Sequence, residues 1–280
     1  MKSLNHAVSS FKPSVFCLQE TKLRTTGKIK GANLSKYVIF ELIRKESRGG
    51  GLAIGALDDL EPRWVSEGDD VEEVIVIEVK INDLQVRILC GYGPQETDLL
   101  RKDRFWARVA AEVNSAAEAG AEIVIMMDGN LHAGDSIIPG DPNMMNDNGR
   151  RFQKFLNDNS QLSLLNGSDI CDGIITRSRN KGGKVEEAVL DFALVSSQLR
   201  PFCEKLVIDE DREYPMTSYV NKKKVTHSDH FTLLLELNIS YQRKKSVREE
   251  CFNFKDCIAQ HAFKDVLNKE DNYFRDELAE

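Results

Sequence analysis

Four apolar runs in this chain of 280 residues each present acidic, amide or imidazole side chains at an end or within the run. Val15 to Leu18 leads to Gln19 and Glu20. Ile123 to Met127 stops on Asp128-Gly129-Asn130. Ala188 to Val195 carries Asp191 among apolar neighbours, and Thr226-His227-Ser228-Asp229-His230 feeds directly into Phe231 to Leu237. On a strand, residues two apart point to one side, so Asp128 and Asn130 leave the sheet edge together, with Gly129 letting a ligand approach the backbone between them. An Asp-Gly pair that closes one strand commonly marks a turn; four runs of the same kind ask for a site. Carboxylate oxygens are hard ligands that suit Mg²⁺ or Mn²⁺, and Mg²⁺ binds through one or two carboxylates plus substrate phosphate oxygens. A histidine beside a carboxylate suits acid–base work or contact with a phosphate. Asp191 needs a partner, because an unpaired carboxylate in an apolar strand is costly. Together these residue types point to metal-assisted attack of water on a phosphate ester.

The elements that must hold these groups follow from periodicity. Leu4, Val8 and Phe11 predict a helix that stops at Lys12-Pro13. Strands are predicted over Tyr37 to Ile43 and Gly50 to Ala56, and a hairpin over Glu73 to Ile81 and Leu84 to Cys90 around Asn82-Asp83. Gly91-Tyr92-Gly93-Pro94 then leaves a tyrosine near a strand end. Leu99, Phe105, Val109 and Val113 predict a helix from Asp98, its cap, to Ala119. A short helix around Phe152, Phe155 and Leu156 precedes strands at Leu162 to Leu165, Ile174 to Thr176 and Ala188 to Val195, with a basic turn at Arg177 to Lys184. Lys205 to Ile208 and Phe231 to Leu237 complete the strands. Hairpins mixed with single helices, rather than regular βαβ units, predict an α/β fold with mixed or antiparallel sheets.

A net charge of −7 argues against a protein that coats nucleic acid through bulk charge, so any such contact must be local. The six cysteines form no CxxC pair, and Cys17 and Cys90 lie inside apolar runs. They read as reduced core thiols, which predicts a nuclear or cytoplasmic protein rather than a secreted one. No apolar run approaches the length of a membrane span, and the first residues do not read as a signal peptide.

Leu18-Gln19-Glu20-Thr21-Lys22, Tyr92-Gly93-Pro94, Asp128-Gly129-Asn130, Leu190-Asp191-Phe192 and Ser228-Asp229-His230 occur in an order and at spacings that resemble the endonuclease/exonuclease/phosphatase superfamily. Within it the chain is most similar to the apurinic-type endonuclease domain of non-LTR retrotransposons, through the strand entry at Ser47 to Ile54 and the segment from Asn148-Gly149-Arg150 to Leu156. The resemblance covers residues 4 to 239. It implies a four-layer α/β sandwich, two mixed β-sheets packed face to face and flanked by helices. It also implies a DNA substrate and a Mg²⁺ or Mn²⁺ cofactor held by Glu20, with Asp229 helping. Asp128 would position or deprotonate the attacking water, Asn130 would hold that geometry, and Tyr92 would donate to the scissile phosphate. His230, paired with Asp191, would contact the phosphate or act as the base. A phosphatase or phosphodiesterase of the same superfamily is the alternative reading, and a non-catalytic remnant the third.

The family normally opens with a strand carrying an Asn just before its first helix, whereas this chain starts in the helix. Residues 1–239 therefore read as a domain without its first strand, a truncated form with weakened activity and sheet backbone left open to pairing. Residues 240–280 read as a linker and helical tail. The basic residues Arg177, Arg179, Lys181 and Lys184 offer DNA-backbone contacts beside the site. His132 reads as a solvent-facing loop residue, and Trp64 and Trp106 as packing residues. Cys251, Cys257 and His261 lack a fourth ligand and a finger-like spacing, so no structural zinc is expected.

Overall fold

The computed structural model describes residues 2–44, 50–69, 72–95, 99–212, 217–220 and 223–239. The expected Asp98 cap, part of the turn before Gly50, the tail after residue 239 and the three residues weighed as zinc ligands lie outside them. Three helices are described: α1 (Lys2–Phe11), α2 (Leu99–Glu118) and α3 (Asp147–Asp158). The first strands are β1 (Val15–Leu18), β2 (Tyr37–Leu42), β3 (Leu52–Leu57), β4 (Arg63–Glu67), β5 (Val74–Ile81), β6 (Leu84–Tyr92) and β7 (Glu122–Asp128). They continue with β8 (Leu162–Leu164), β9 (Cys171–Asp172), β10 (Arg177–Lys181), β11 (Lys184–Ala188), β12 (Asp191–Ser196), β13 (Cys203–Ile208), β14 (Thr217–Val220), β15 (Lys223–His227) and β16 (Leu233–Leu237).

A six-stranded mixed sheet in the order β4-β5-β6-β7-β12-β8 forms one inner layer, with β6 and β7 parallel and the other pairs antiparallel. Its central strands β7 and β12 are apolar on both faces. Ile123, Ile125 and Met127 of β7 point to α2 and α3, while Val124 and Met126 point to the second inner layer. Phe192 and Leu194 of β12 alternate with Ala193 and Val195 in the same way. This period of two buries β7 on both sides, as its continuous apolar run requires.

On the outer face, Phe105, Trp106, Val109 and Val113 of α2 meet Phe152 and Phe155 of α3. Phe152 lies 4.8 Å from Phe192 between ring centroids, so α3 rests on the residue that follows Asp191. Burial of a side chain of this size contributes roughly 1.5–3 kcal/mol. The Asn146 side chain caps α3 by accepting from Gly149 N.

The second inner layer comes in two pieces, an antiparallel sheet β1-β3-β2 and a mixed sheet β16-β13-β9. Val15 and Cys17 of β1 face the six-stranded sheet, whereas Phe16 and Leu18 face outward with Leu4 and Val8 of α1, which forms the fourth layer. The outer edges of β1 and β16 have no strand partner among the described residues. Both line one groove of about 1250 Å³, floored by Val79, Ile81, Val86, Ile88, Val124 and Met126 and open at one end to Glu20, Asp128 and His230.

Four local expectations change. Ile174 to Thr176 is not a strand: Gly173 adopts φ 96 after β9, and Thr176 turns its buried hydroxyl to accept from Leu190 N and Asp191 N. The basic segment from Arg177 to Lys184 is mostly strand, forming the hairpin β10-β11 around Gly182-Gly183 at φ 60 and 83. The strand expected from Ala188 begins only at Asp191, which therefore opens β12 instead of lying in its middle. β4 escapes periodicity because Arg63, Trp64 and Glu67 are exposed on an edge strand. Trp64, 40% exposed, leans on Phe40, whereas Trp106 is buried and donates to Asn148 Oδ1 at 2.8 Å.

Candidate active site

Three of the candidate residues lie in one row across the six-stranded sheet. Tyr92 at the end of β6 is the register partner of Asp128 at the end of β7, and Asp128 is the partner of Asp191 at the start of β12. Register partners on adjacent strands point to the same face. The row thus aims a phenol and two carboxylates at the mouth of the groove between the layers. From the second layer, Glu20 follows β1 and His230 precedes β16, both at that mouth.

Tight backbone geometry at the end of β7 holds Asp128. Its Oδ1 accepts from Asn130 N at 3.0 Å, and Asn130, at φ 47, donates from Nδ2 to Gly93 O at 2.8 Å. Asparagine tolerates this left-handed conformation better than most residues. A Cβ on Gly93 would lie 2.2 Å from Gly129 O, so the two turns touch and only glycine fits there. Asn148 Nδ2 supports the same turn by donating to Gly129 O at 3.2 Å.

Asp191 receives the partner its burial demands: its Oδ2 lies 2.8 Å from His230 Nδ1. Thr176 Oγ1 accepts from its amide, and Asn166 Nδ2 donates to its carbonyl at 3.0 Å. The other imidazole nitrogen, Nε2, faces Asp128 Oδ2 at 4.0 Å, too far for a direct hydrogen bond. Glu20 Oε1 accepts from the Tyr92 hydroxyl at 2.5 Å, and Lys22 Nζ lies 2.8 Å from Oε2. Asp229 is occupied by Arg177, with Nε to Oδ2 at 2.8 Å.

Burial, and then the charge of Asp191, push the Asp128 carboxyl up to about 8. Burial opposes protonation of His230, but the Asp191 carboxylate outweighs it and pushes the imidazole up to about 9. His230 is therefore an imidazolium at neutral pH in the free protein. Burial also opposes ionisation of Glu20 and Asp229; Lys22 and Tyr92 nevertheless hold Glu20 below the usual carboxylate range, and Arg177 does the same for Asp229. The Tyr92 phenol is raised by its burial and by Glu20, so it stays a donor across the working range.

Asp128, Asp191 and His230 offer ligand atoms within 4.8 Å of one another. Asp191 and His230 are engaged with each other and Asp128 Oδ1 with Asn130 N, whereas Glu20 is 40% exposed at the groove mouth with a side-chain ammonium beside it. A partly exposed carboxylate suits a hard divalent cation, which would displace the Lys22 ammonium from Oε2 on binding. Arg179, Lys181 and Lys184 stand exposed on the β10-β11 hairpin, Arg179 paired with Glu186, and Arg177 is turned inward to Asp229. His132 is half-buried and lines the groove, its Nδ1 shielded, so it is not the solvent-facing residue expected. Thr176, Asn166 and Asn148 support the site without any mark in the sequence that pairs them with Asp191 or Gly129.

Replacing Asp191 removes the largest of the charges that raise His230 and leaves those of Asp128 and Asp229 against the burial that lowers it. Asp191→Asn is therefore expected to lower the His230 titration from about 9. Imidazole proton shifts followed by NMR read this directly, and a titration still near 9 would contradict the pairing.

No protein-family model matches the sequence, and no curated protein does. Solved structures match over most of the chain. The endonuclease domain of TRAS1, a telomere-specific non-LTR retrotransposon, aligns at TM-score 0.59 and 13% identity, covering 86% of this chain and 93% of that one. An AP endonuclease from Archaeoglobus fulgidus aligns at 0.58 and 19% identity, covering 85% and 95%. The 3′ phosphatase NExo from Neisseria, bound to a product DNA hairpin, aligns at 0.61 and 18% identity, covering 84% and 93%. At these identities the likeness is one of architecture, and the chain has the fold of the endonuclease/exonuclease/phosphatase superfamily.

Proposed function

We propose that this chain is a divalent-metal-dependent DNA endonuclease that hydrolyses a phosphodiester, nicking its target in the manner of a retrotransposon endonuclease. The observation that carries the reading is the Tyr92–Asp128–Asp191 row, met from the opposite layer by Glu20 and His230. Chemistry of one kind explains why carboxylates, an imidazole and a phenol converge where two sheets open.

Glu20 would hold Mg²⁺ or Mn²⁺, and Asp229 would help only on leaving Arg177. A cation there would polarise a phosphoryl oxygen and offset the charge that develops on it. Asp128, anchored by Asn130, takes the proton of the attacking water in its ionised form, which is the minority form below about pH 8. His230, held as an imidazolium by Asp191, donates from Nε2 to a non-bridging phosphate oxygen. Tyr92 donates its hydroxyl to the same phosphate once substrate competes with Glu20 for it. Hydrolysis that leaves a 3′-hydroxyl and a 5′-phosphate breaks the P–O3′ bond: water attacks the phosphorus in line opposite O3′, Asp128 takes its proton, and the departing 3′-oxygen takes a proton from solvent.

On this reading residues 1–239 are the catalytic domain, and the gap between the β1 and β16 edges is unfilled among the described residues. The free cysteines Cys17, Cys90, Cys171 and Cys203 suit a reducing compartment, the nucleus or the cytoplasm. No helix among the described residues is long and apolar enough to cross a membrane. A phosphatase reading draws on the neighbours of the same fold, NExo and a Bacteroides thetaiotaomicron mannosyl-6-phosphatase at TM-score 0.57 and 16% identity.

Supercoiled plasmid with Mg²⁺ separates the two: conversion to the nicked circle supports the endonuclease, and phosphate release from a monoester without nicking supports the phosphatase. Chelation abolishes nicking, and Asp128→Asn and His230→Ala each lower it by about 10²- to 10⁴-fold; full activity in either variant would defeat both readings. Salt dependence of DNA affinity reports the hairpin. Alanine at Arg179, Lys181 and Lys184 lowers the log–log salt slope by roughly two to three, and an unchanged slope would place the DNA elsewhere. Adding an N-terminal strand with an Asn at its site end raises the nicking rate, and no gain would show that the gap is not a missing strand.

A further inference from the structure

Glu73 takes no part in the chemistry above, yet it is only 3% exposed and sits one residue before β5. Its Oε1 accepts from Gly51 N at 2.6 Å, and its Oε2 accepts from Arg44 Nη2. The carbonyls of Gly50 and Gly51 accept in turn from Lys22 N at 2.9 Å and Thr21 N at 3.0 Å, the two residues that follow Glu20. The main-chain carbonyl of Glu73 accepts from Tyr92 N at 2.9 Å. The Tyr92 hydroxyl then closes the circuit on Glu20 Oε1. A single buried residue registers both partners of the Glu20–Tyr92 contact.

The backbone shows why such a tether is needed. Glu20 and Lys22 adopt φ 51 and 54, left-handed values that residues with a side chain hold only where their surroundings over-determine them. Gly50 and Gly51 are left-handed as well, and a Cβ on Gly51 would lie 2.7 Å from Thr21 Oγ1, so turn and loop are in contact. Packing alone does not call for a carboxylate here, since a buried ion pair is often replaced by apolar residues without loss of stability.

We propose that Glu73 is a positioning residue: through the Gly50-Gly51 turn and the Tyr92 amide it fixes the Glu20 carboxylate in the orientation that receives the cation. The inference rests on the reading of Glu20 as the cation ligand. Supporting groups behind a ligand change metal affinity by about 10- to 100-fold when removed.

Amide hydrogen exchange and Mn²⁺ affinity, measured on the intact chain, test it. Glu73→Gln keeps the shape and loses the charge. The double variant Arg44→Leu/Glu73→Leu removes the ion pair without stranding a charge, and serves if the single variant does not fold. In either, Thr21 and Lys22 amides exchange faster relative to Ile54 and Ala56 of β3, and half-saturation by Mn²⁺ moves up by about tenfold or more. Unchanged exchange at Thr21 and Lys22 overturns the proposal. Loosened amides with unchanged Mn²⁺ affinity overturn it too. If the wild type binds no Mn²⁺ at all, the reading of Glu20 fails, and the exchange result still decides whether Glu73 holds the loop.

Discussion

The Asp191–His230 hydrogen bond is the contact on which the geometry of the site depends. It joins β12 of the six-stranded sheet to the segment before β16 of the other layer, where the two layers open. A carboxylate at the start of an apolar strand is tolerable only if something answers its charge. The imidazolium does so, and in answering it leaves Nε2 directed toward Asp128. Thr176 and Asn166 secure the main chain of Asp191, and the Phe192 ring behind it is locked against Phe152 of α3. The position of one proton donor is thereby fixed by contacts that extend from the second layer to the outer helices.

Glu20 is held in a different way. It lies on a loop with two left-handed residues, partly exposed, and its orientation comes from hydrogen bonds to a glycine turn and a tyrosine. The contrast matches the two tasks. Burial raises the Asp128 carboxyl, and the Asp191 charge raises His230 against its burial, so both groups keep protons that exposed ones would release. A cation ligand must stay open to solvent and substrate and remain charged, which Lys22 and Tyr92 favour.

The sequence makes the positions of the site legible because each candidate stands at the end of a strong apolar run or beside a glycine. Tyr92, Asp128 and Asp191 fall in one row since all three mark the same end of adjacent strands. The pairing of Asp191 could be demanded from burial cost alone, although the residue opens β12 instead of interrupting it. Periodicity could not show partners brought together by non-local pairing. Asp229 is turned to Arg177, the basic segment is a hairpin instead of a turn, and His132 points into the groove. Nor could it show Glu73, whose neighbours Gly51 and Arg44 lie more than twenty residues away in the chain. The split of the second layer into two three-stranded pieces likewise depends on which edges meet, a property of the assembled sheets.

With Glu20 as its ligand, one cation sits beside that carboxylate within reach of the Asp191–His230 pair. Paramagnetic Mn²⁺ tests this without any substrate, by broadening the NMR signals of nearby groups. Titrated into the wild type, it should broaden the His230 ring protons while leaving those of His6, exposed on α1, sharp. Glu20→Gln should abolish the effect at the same Mn²⁺ concentration. Equal broadening of both histidines, or His230 broadening that survives loss of the Glu20 charge, would contradict the account.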